Sequence, residues 1–321
     1  VQDAFKNGYR VGIIGNSDGH KGRPGASYPG AGWFGAVGGL TCFLMPELTR
    51  KSLIKCINSR HHYATTGGPS GRMCLSVSMS FDESATQYLE DPMIILDCST
   101  KTCLEAIMGD IVHLPVGNSN LKVRVDAASP VRCIDIFNGL EHLECYRPYA
   151  ESYLGDRIGV LWEGSEYRGR FRAVSWDGSA HFDKAKILST YAVNFFNRDK
   201  TIDSVSSSDL AWQSVTTGNF AGFITELTDS RLGSIEIKTE LINENVALAD
   251  IGYEDTILDA SDNLPRGIRL FRLPNENTHN SVSLERKLEP QKGRDNPFYV
   301  RISLEDGTQA WSSPIYVLRE V

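Results

Sequence analysis

Leu121-Lys122-Val123-Arg124-Val125 alternates aliphatic and charged side chains without a break. Successive side chains of a strand point to opposite faces, so this period of two puts three apolar groups on one face and two cations on the other. Ser234-Ile235-Glu236-Ile237-Lys238 repeats the pattern, and Phe298-Tyr299-Val300-Arg301-Ile302-Ser303-Leu304 extends it. Asp177-Gly178 and Asp306-Gly307 are residue pairs that suit tight hairpin turns. Downstream of about residue 70 the chain therefore predicts short antiparallel strands packed as a β-sandwich, and the fold class is mainly β. Two stretches, 146–169 and 198–220, are polar or mixed and predict long loops. Trp162, Trp176 and Trp212 suit either a sugar-binding platform or a core, and a core is the better fit for side chains this large.

The first seventy residues follow another grammar. Residues 1–9 predict a short helix ending at Asn7-Gly8, with Gly8 as its C-cap. Val11-Gly12-Ile13-Ile14-Gly15-Asn16-Ser17 reads as an apolar strand, over residues 10–17, covered on both faces. A glycine-rich loop runs from Gly19 to Gly39, and a loop this long inside a domain points to function. Leu40 to Met45 predicts a short strand. Pro46-Glu47-Leu48-Thr49 opens a helix to about Ser59, with Thr49 as N-cap and Leu53, Ile54 and Ile57 as the buried stripe. Arg60-His61-His62-Tyr63-Ala64-Thr65-Thr66-Gly67 closes this α/β part. The expected organisation is an α/β portion over residues 1–69 and a β-sandwich over residues 70–321.

Composition bounds the function. The 321 residues are 41% apolar and 23% charged, as in ordinary soluble domains, and leave room for two of them. No apolar run approaches the roughly 20 residues that span a bilayer, so no membrane partner is expected. The net charge is −7, but residues 1–70 carry eight Lys/Arg against three Asp/Glu, so the acidity lies in the remainder. That balance argues against nucleic acid and leaves the first segment suited to a small anion. Seven dispersed cysteines, Cys42, Cys56, Cys74, Cys98, Cys103, Cys133 and Cys145, include no CxxC pair, so a structural zinc site is not expected. They favour a reducing, cytoplasmic setting, with the periplasm as the alternative. The opening Val1-Gln2-Asp3-Ala4-Phe5 reads as mid-helix, and the chain is expected to be the C-terminal part of something longer.

The chemistry concentrates in Asn16-Ser17-Asp18-Gly19-His20. Asp18 and His20, two apart at a strand end, point the same way. A carboxylate and an imidazole there suit a divalent metal, whereas a turn cap and a loop histidine are the plainer alternative. Asn16 and Ser17 can hydrogen-bond such ligands. Lys21 and Arg23 follow directly and can hold a phosphate or carboxylate, or sit solvated. Trp33 in the glycine-rich loop can wall a pocket or anchor the loop. His61 and His62 are adjacent and cannot face one way on a regular element, so at most one belongs to a site; Tyr63 follows them. No GxSxG, phosphate-binding loop, dinucleotide fingerprint, HxH or HExxH occurs.

Asn16-Ser17-Asp18-Gly19-His20 resembles the late Asp-x-His metal motif of the PHP (polymerase and histidinol phosphatase) domains. Gly30-Ala31-Gly32-Trp33-Phe34-Gly35, Leu48-Thr49-Arg50-Lys51-Ser52-Leu53 and Arg60–Gly67 widen the likeness. So do Phe298–Ile302, Asp306-Gly307 and Ala310-Trp311-Ser312-Ser313-Pro314-Ile315. As a set they resemble the C-terminal half of a bacterial PHP-like family of unassigned function, the domain of unknown function 3604. The resemblance implies the remnant of an α/β barrel followed by a sandwich. It also implies a phosphoesterase-like hydrolase in which Asp18 and His20 bind Zn, Mn or Fe and metal-bound water is the nucleophile. The early HxH pair and the central ligands of that family have no counterpart here, so the isolated chain is expected to be inactive. A barrel remnant would expose apolar edges and favour a homo-oligomer. The alternative is a non-catalytic sandwich module that binds carbohydrate or a protein partner.

Overall fold

In the computed structural model, which describes residues 1–17, 19, 37–68, 70–169, 172–195, 200–262 and 264–319, the alternating stretch lies in strand Ser119–Asp126. Leu121, Val123 and Val125 are buried there, and Lys122 and Arg124 face solvent. Ile235 and Ile237 behave alike in Ser234–Thr239, as do Phe298, Val300 and Ile302 in Arg294–Leu304. The described chain is mainly β, as its patterning dictates.

The chain divides into two units. The first comprises Val1–Pro148 and His279–Val321, and the second comprises Tyr149–Thr278. In the first, twelve described strands share one hydrogen-bonded network. Cys74–Tyr88 pairs with Ser119–Asp126 through its first half, and with Thr100–Ile107 and Ile111–His113 towards its end. Arg294–Leu304 pairs with Val131–Asn138, Gln309–Ser312 and Ile315–Arg319. The strand Ile315–Arg319 then runs parallel to Ile111–His113 and joins the two halves. Their inner faces meet in one core, with Leu75, Val77 and Met79 from one side and Ile134, Ile136, Val300 and Ile302 from the other. Asp306-Gly307 makes the expected hairpin: Gly307 has φ +87° and the Asp306 carboxylate accepts from the Thr308 amide at 2.9 Å.

The expected boundary between residues 69 and 70 falls inside this first unit. His62–Thr65 pairs with Gln309–Ser312 on one side and Leu40–Phe43 on the other, so the sandwich sheet continues through the change of grammar. Helix Arg50–Asn58 joins Leu40–Phe43 to His62–Thr65, which are antiparallel, whereas a PHP-type barrel needs parallel neighbours; no barrel remnant is seen among the described residues. Helix Gln2–Lys6 ends as read, with Gly8 at φ +72°, and Thr49 caps its helix by accepting from the Ser52 amide at 3.2 Å. The helix stripe is corrected. Ile54 and Ile57 are 60% and 48% exposed, and Cys56 is the buried residue, because a nine-residue helix at the sheet margin has only a narrow covered face. Residues 10–17 form no strand among the described positions; side chains, not a ladder, take up their backbone groups.

The second unit packs two five-stranded sheets, in the orders 202–204, 209–212, 178–183, 234–239, 243–247 and 187–193, 220–227, 154–164, 266–274, 256–259. Two expected loops are corrected here. Leu154–Gly164 is a central strand, and 198–220 contains strands Ile202–Ser204, Asp209–Trp212 and Val215–Thr216. Glycines at 155, 159 and 164 dilute the apolar signal of Leu154–Gly164. The fold uses that dilution: a Cβ on Gly159 would lie 2.2 Å from the Phe271 ring, which covers the bare backbone from the paired strand. Asp177-Gly178 is a corner between strands of different sheets, not a hairpin, because Val174–Ser175 pairs with Val215–Thr216 instead. Trp162, Trp176 and Trp212 are all buried, and Trp162 stacks on Trp212 at 4.8 Å. Each indole N–H has an acceptor, Ser214 Oγ, Thr216 Oγ1 and the Trp176 carbonyl respectively, so these residues build the core and no sugar platform.

Phe271→Ala would uncover Gly159 and leave a cavity beside a central strand. It should lower the stability of the second unit by about 3–5 kcal/mol. Urea unfolding followed by tryptophan fluorescence reads this directly, since three of the five tryptophans lie in that unit.

Candidate functional site

The segment leading to Asp18 and His20 is fastened residue by residue. Arg10 is buried between two carboxylates, with Nε 2.8 Å from Asp295 and Nη1 2.7 Å from Asp91. Burial disfavours its charge, but the two aspartates outweigh that and raise its pKa. The Tyr316 hydroxyl donates to the Val11 carbonyl at 2.7 Å. The Ile13 amide donates to Ser313 Oγ at 3.0 Å, and the Ile13 carbonyl lies 2.9 Å from His62 Nδ1. Thr41 Oγ1 accepts from the Gly15 amide at 3.1 Å. A Cβ on Gly38 would stand 2.7 Å from that of Ser17, so glycine is required for the two backbones to approach here.

Of the residues expected to form a site, Asp18, His20, Lys21, Arg23 and Trp33 lie outside the described residues. Asn16 is exposed with its Oδ1 3.4 Å from Thr41 Oγ1, and Ser17 is half-buried under Gly38. His61 and His62 diverge, as adjacent strand-edge residues must. His62 points into the protein and is bonded to Ile13, and burial lowers its pKa. Tyr63 is also internal, its hydroxyl donating to the Met73 carbonyl at 2.6 Å, and burial raises its pKa. His62 and Tyr63 thus brace the segment rather than meet a bound molecule.

Among the described candidates, His61 faces a cavity, of about 550 Å³, whose charged lining is Lys51, Lys55, Arg60, Glu90, Lys101 and Asp110. Its Nε2 lies 2.8 Å from Asp110 Oδ1. The buried Asp110 carboxylate also accepts from Gln87 Nε2 at 2.7 Å and from the Ile107 amide at 2.8 Å. An acceptor-only carboxylate with three donors holds the imidazole in one orientation and one tautomer. Four cations against the carboxylates of Glu90 and Asp110 leave the cavity lining net positive, which suits an anionic small molecule.

A second group was invisible to spacing rules. Cys133, Asp135 and Cys145 place their ligand atoms within 4.8 Å of one another and can hold a metal ion. Burial would raise the Asp135 carboxyl, but Arg301 and His142 outweigh it and hold it below the usual range. A hydrogen bond with Cys133, then burial, pushes the Cys145 thiol up. The legible signal is Cys133-x-Asp135 on one strand face followed by the hairpin pair Asn138-Gly139. A CxxC search passes over it, because the third ligand comes from across the hairpin.

No family model, curated protein or solved structure matches this chain. No helix among the described residues is long and apolar enough to cross a membrane.

His62 carries a pH consequence. Its pKa in the folded state is below the ordinary value of about 6.5, so the unfolded chain binds the extra proton. The stability it protects is complete above about pH 6.5 and falls as pH drops through that value towards the lowered folded one. Urea unfolding at stepped pH should show this slope in the wild type, and His62→Gln should remove that share of it while lowering stability throughout.

Proposed function

We propose that this chain is the C-terminal portion of a divalent-metal-dependent hydrolase of anionic esters, phosphoesters foremost. The observation that carries the reading is the fastening of residues 10–17 at Arg10, Val11, Ile13 and Gly15, which gives the Asn16–His20 motif a rigid approach. The donor chemistry fits: one carboxylate and one imidazole suit Zn, Mn or Fe. Two donors do not fill a coordination shell, so the reading takes the remaining ligands from residues outside this sequence. A bound cation would polarise the ester and lower the pKa of water. This chain's part is to hold that cation with Asp18 and His20, orient the two through Asn16 and Ser17, and neutralise the substrate's charge with Lys21 and Arg23.

A second reading, a non-catalytic binding or assembly module, draws on the exposed Leu48, Ile54 and Ile57 around helix Arg50–Asn58. With the three tryptophans internal, a protein partner or a second copy suits it better than a glycan.

Equilibrium dialysis of the protein extended upstream of Val1 should show Mn²⁺ binding that weakens roughly tenfold or more in Asp18→Ala and in His20→Ala. The protein extended upstream of Val1 should hydrolyse a phosphodiester or phosphomonoester probe and lose that activity in both variants. Absence of metal and of hydrolysis in the extended protein would overturn the hydrolase reading.

A further inference from the structure

Among the described residues, soft metal-ligating atoms converge on the face of the hairpin Val131–Asn138 and Glu141–Tyr146 opposite Ile134 and Ile136, where Cys133 and Asp135 are buried and Cys145 is part-exposed. We propose that Cys133, Asp135, Cys145 and His142 form a thiolate site for a tetrahedral divalent metal of the zinc class. The site is independent of Asp18 and His20.

Register builds it. Asp135 is directly opposite Cys145, and Cys133 lies two residues along on the same strand face. A register shift between Ile136 and Phe137 sets His142, not Leu143, opposite Phe137. An extra residue of this kind re-aims a side chain, and here it turns His142 towards Asp135. His142 Nε2 lies 3.0 Å from Asp135 Oδ1. Nitrogen and oxygen ligands on one tetrahedral zinc stand roughly 3.3 Å apart, and two thiolates roughly 3.8 Å apart, so the Cys133, Asp135 and Cys145 atoms, within 4.8 Å of one another, must draw together by up to about 1 Å, and His142, which lies outside that group, must swing in. The His142 side chain is 47% exposed, so solvent leaves room for that swing from its place beside the Phe137 ring, and the part-exposed Cys145 provides entry.

The surroundings divide the work as an outer shell does. Arg301 bonds Asp135 through Oδ2, from Nε at 3.0 Å and Nη2 at 2.9 Å, and leaves Oδ1 turned to the site. Arg147 Nη1 lies 3.3 Å from Cys145 Sγ. Two thiolates, one carboxylate and a divalent cation sum to one negative charge, which these guanidiniums face. Such outer contacts orient ligands and balance their charge. On binding, each thiol gives its proton to solvent and two metal–sulfur bonds form, with no change of oxidation state. The metal would clamp the open end of the hairpin, which carries no catalytic group.

Cobalt reports sulfur ligation directly. Co²⁺ titrated into the reduced full chain should give one equivalent of thiolate-to-cobalt charge-transfer absorption with the strong visible bands of tetrahedral cobalt, and Zn²⁺ should bleach both. Cys145→Ser should lose most of the charge-transfer intensity. His142→Ala should keep it while binding roughly tenfold or more weakly. Zn²⁺ should also shield the part-exposed Cys145 of the wild type from alkylation, read by peptide mass spectrometry, which needs no variant to fold. No charge-transfer band at one equivalent, or no shielding, would overturn the proposal. Cobalt at Asp18 and His20 has no sulfur ligand and gives no such band, so failure of one site is distinguishable from failure of the other.

Discussion

The buried Ser313 side chain is the contact on which the arrangement of the first unit turns. Its hydroxyl accepts from the Ile13 amide at 3.0 Å and donates to the His62 carbonyl at 2.6 Å, and its own amide bonds the same carbonyl at 3.2 Å. One small polar group thereby joins three segments that lie far apart in the chain. All of these groups are buried, so each would carry a desolvation cost if left unpaired. The consequence reaches further than the three bonds. Gln309–Ser312 gives His62–Thr65 its partner, and His62–Thr65 gives Leu40–Phe43 its own. The N-terminal segment is therefore held by strands that the chain supplies only after Tyr149–Thr278 has been made.

This dependence explains what the sequence reveals and what it hides. Strand faces were legible wherever one face is wet, as in Ser119–Asp126 and Ser234–Thr239, because burial then imposes a period of two. Leu154–Gly164 was not legible. It is central in its sheet, and its glycines are answered by residues such as Phe271 that are distant in sequence. The apolar run Val11–Ile14 misled for the opposite reason. It has the composition of a strand, yet its backbone groups meet the hydroxyls of Ser313 and Tyr316 and the ring of His62, none of which local pattern can announce. The domain boundary was drawn where the local grammar changes, but a unit is defined by which strands pair, and that depends on the last 43 residues.

Site residues divide in the same way. The adjacency of His61 and His62 already implied that they diverge, and they do: one meets Asp110 in a cavity, the other braces Ile13. That His61 would be oriented by Asp110 and Gln87 depends on strand pairing and has no trace in spacing. The cysteine pair shows the limit most plainly. Cys133-x-Asp135 and the Asn138-Gly139 turn are visible in the sequence, but the register shift that brings His142 round is not. The structure braces residues 10–17, whereas Asp18 and His20 lie outside the described residues, and the metal role proposed for them draws on motif and donor chemistry alone.

Ser313 holds residues 10–17 in place through Ile13 and His62. Amide hydrogen exchange at single-residue resolution tests it. The Ile13 and Gly15 amides should be protected in the wild type, although no strand ladder contains them, and Ser313→Ala should release Ile13 while leaving core amides such as Val123 protected. Exchange at Ile13 and Gly15 as fast as in an unfolded peptide, in the wild type, would contradict the account.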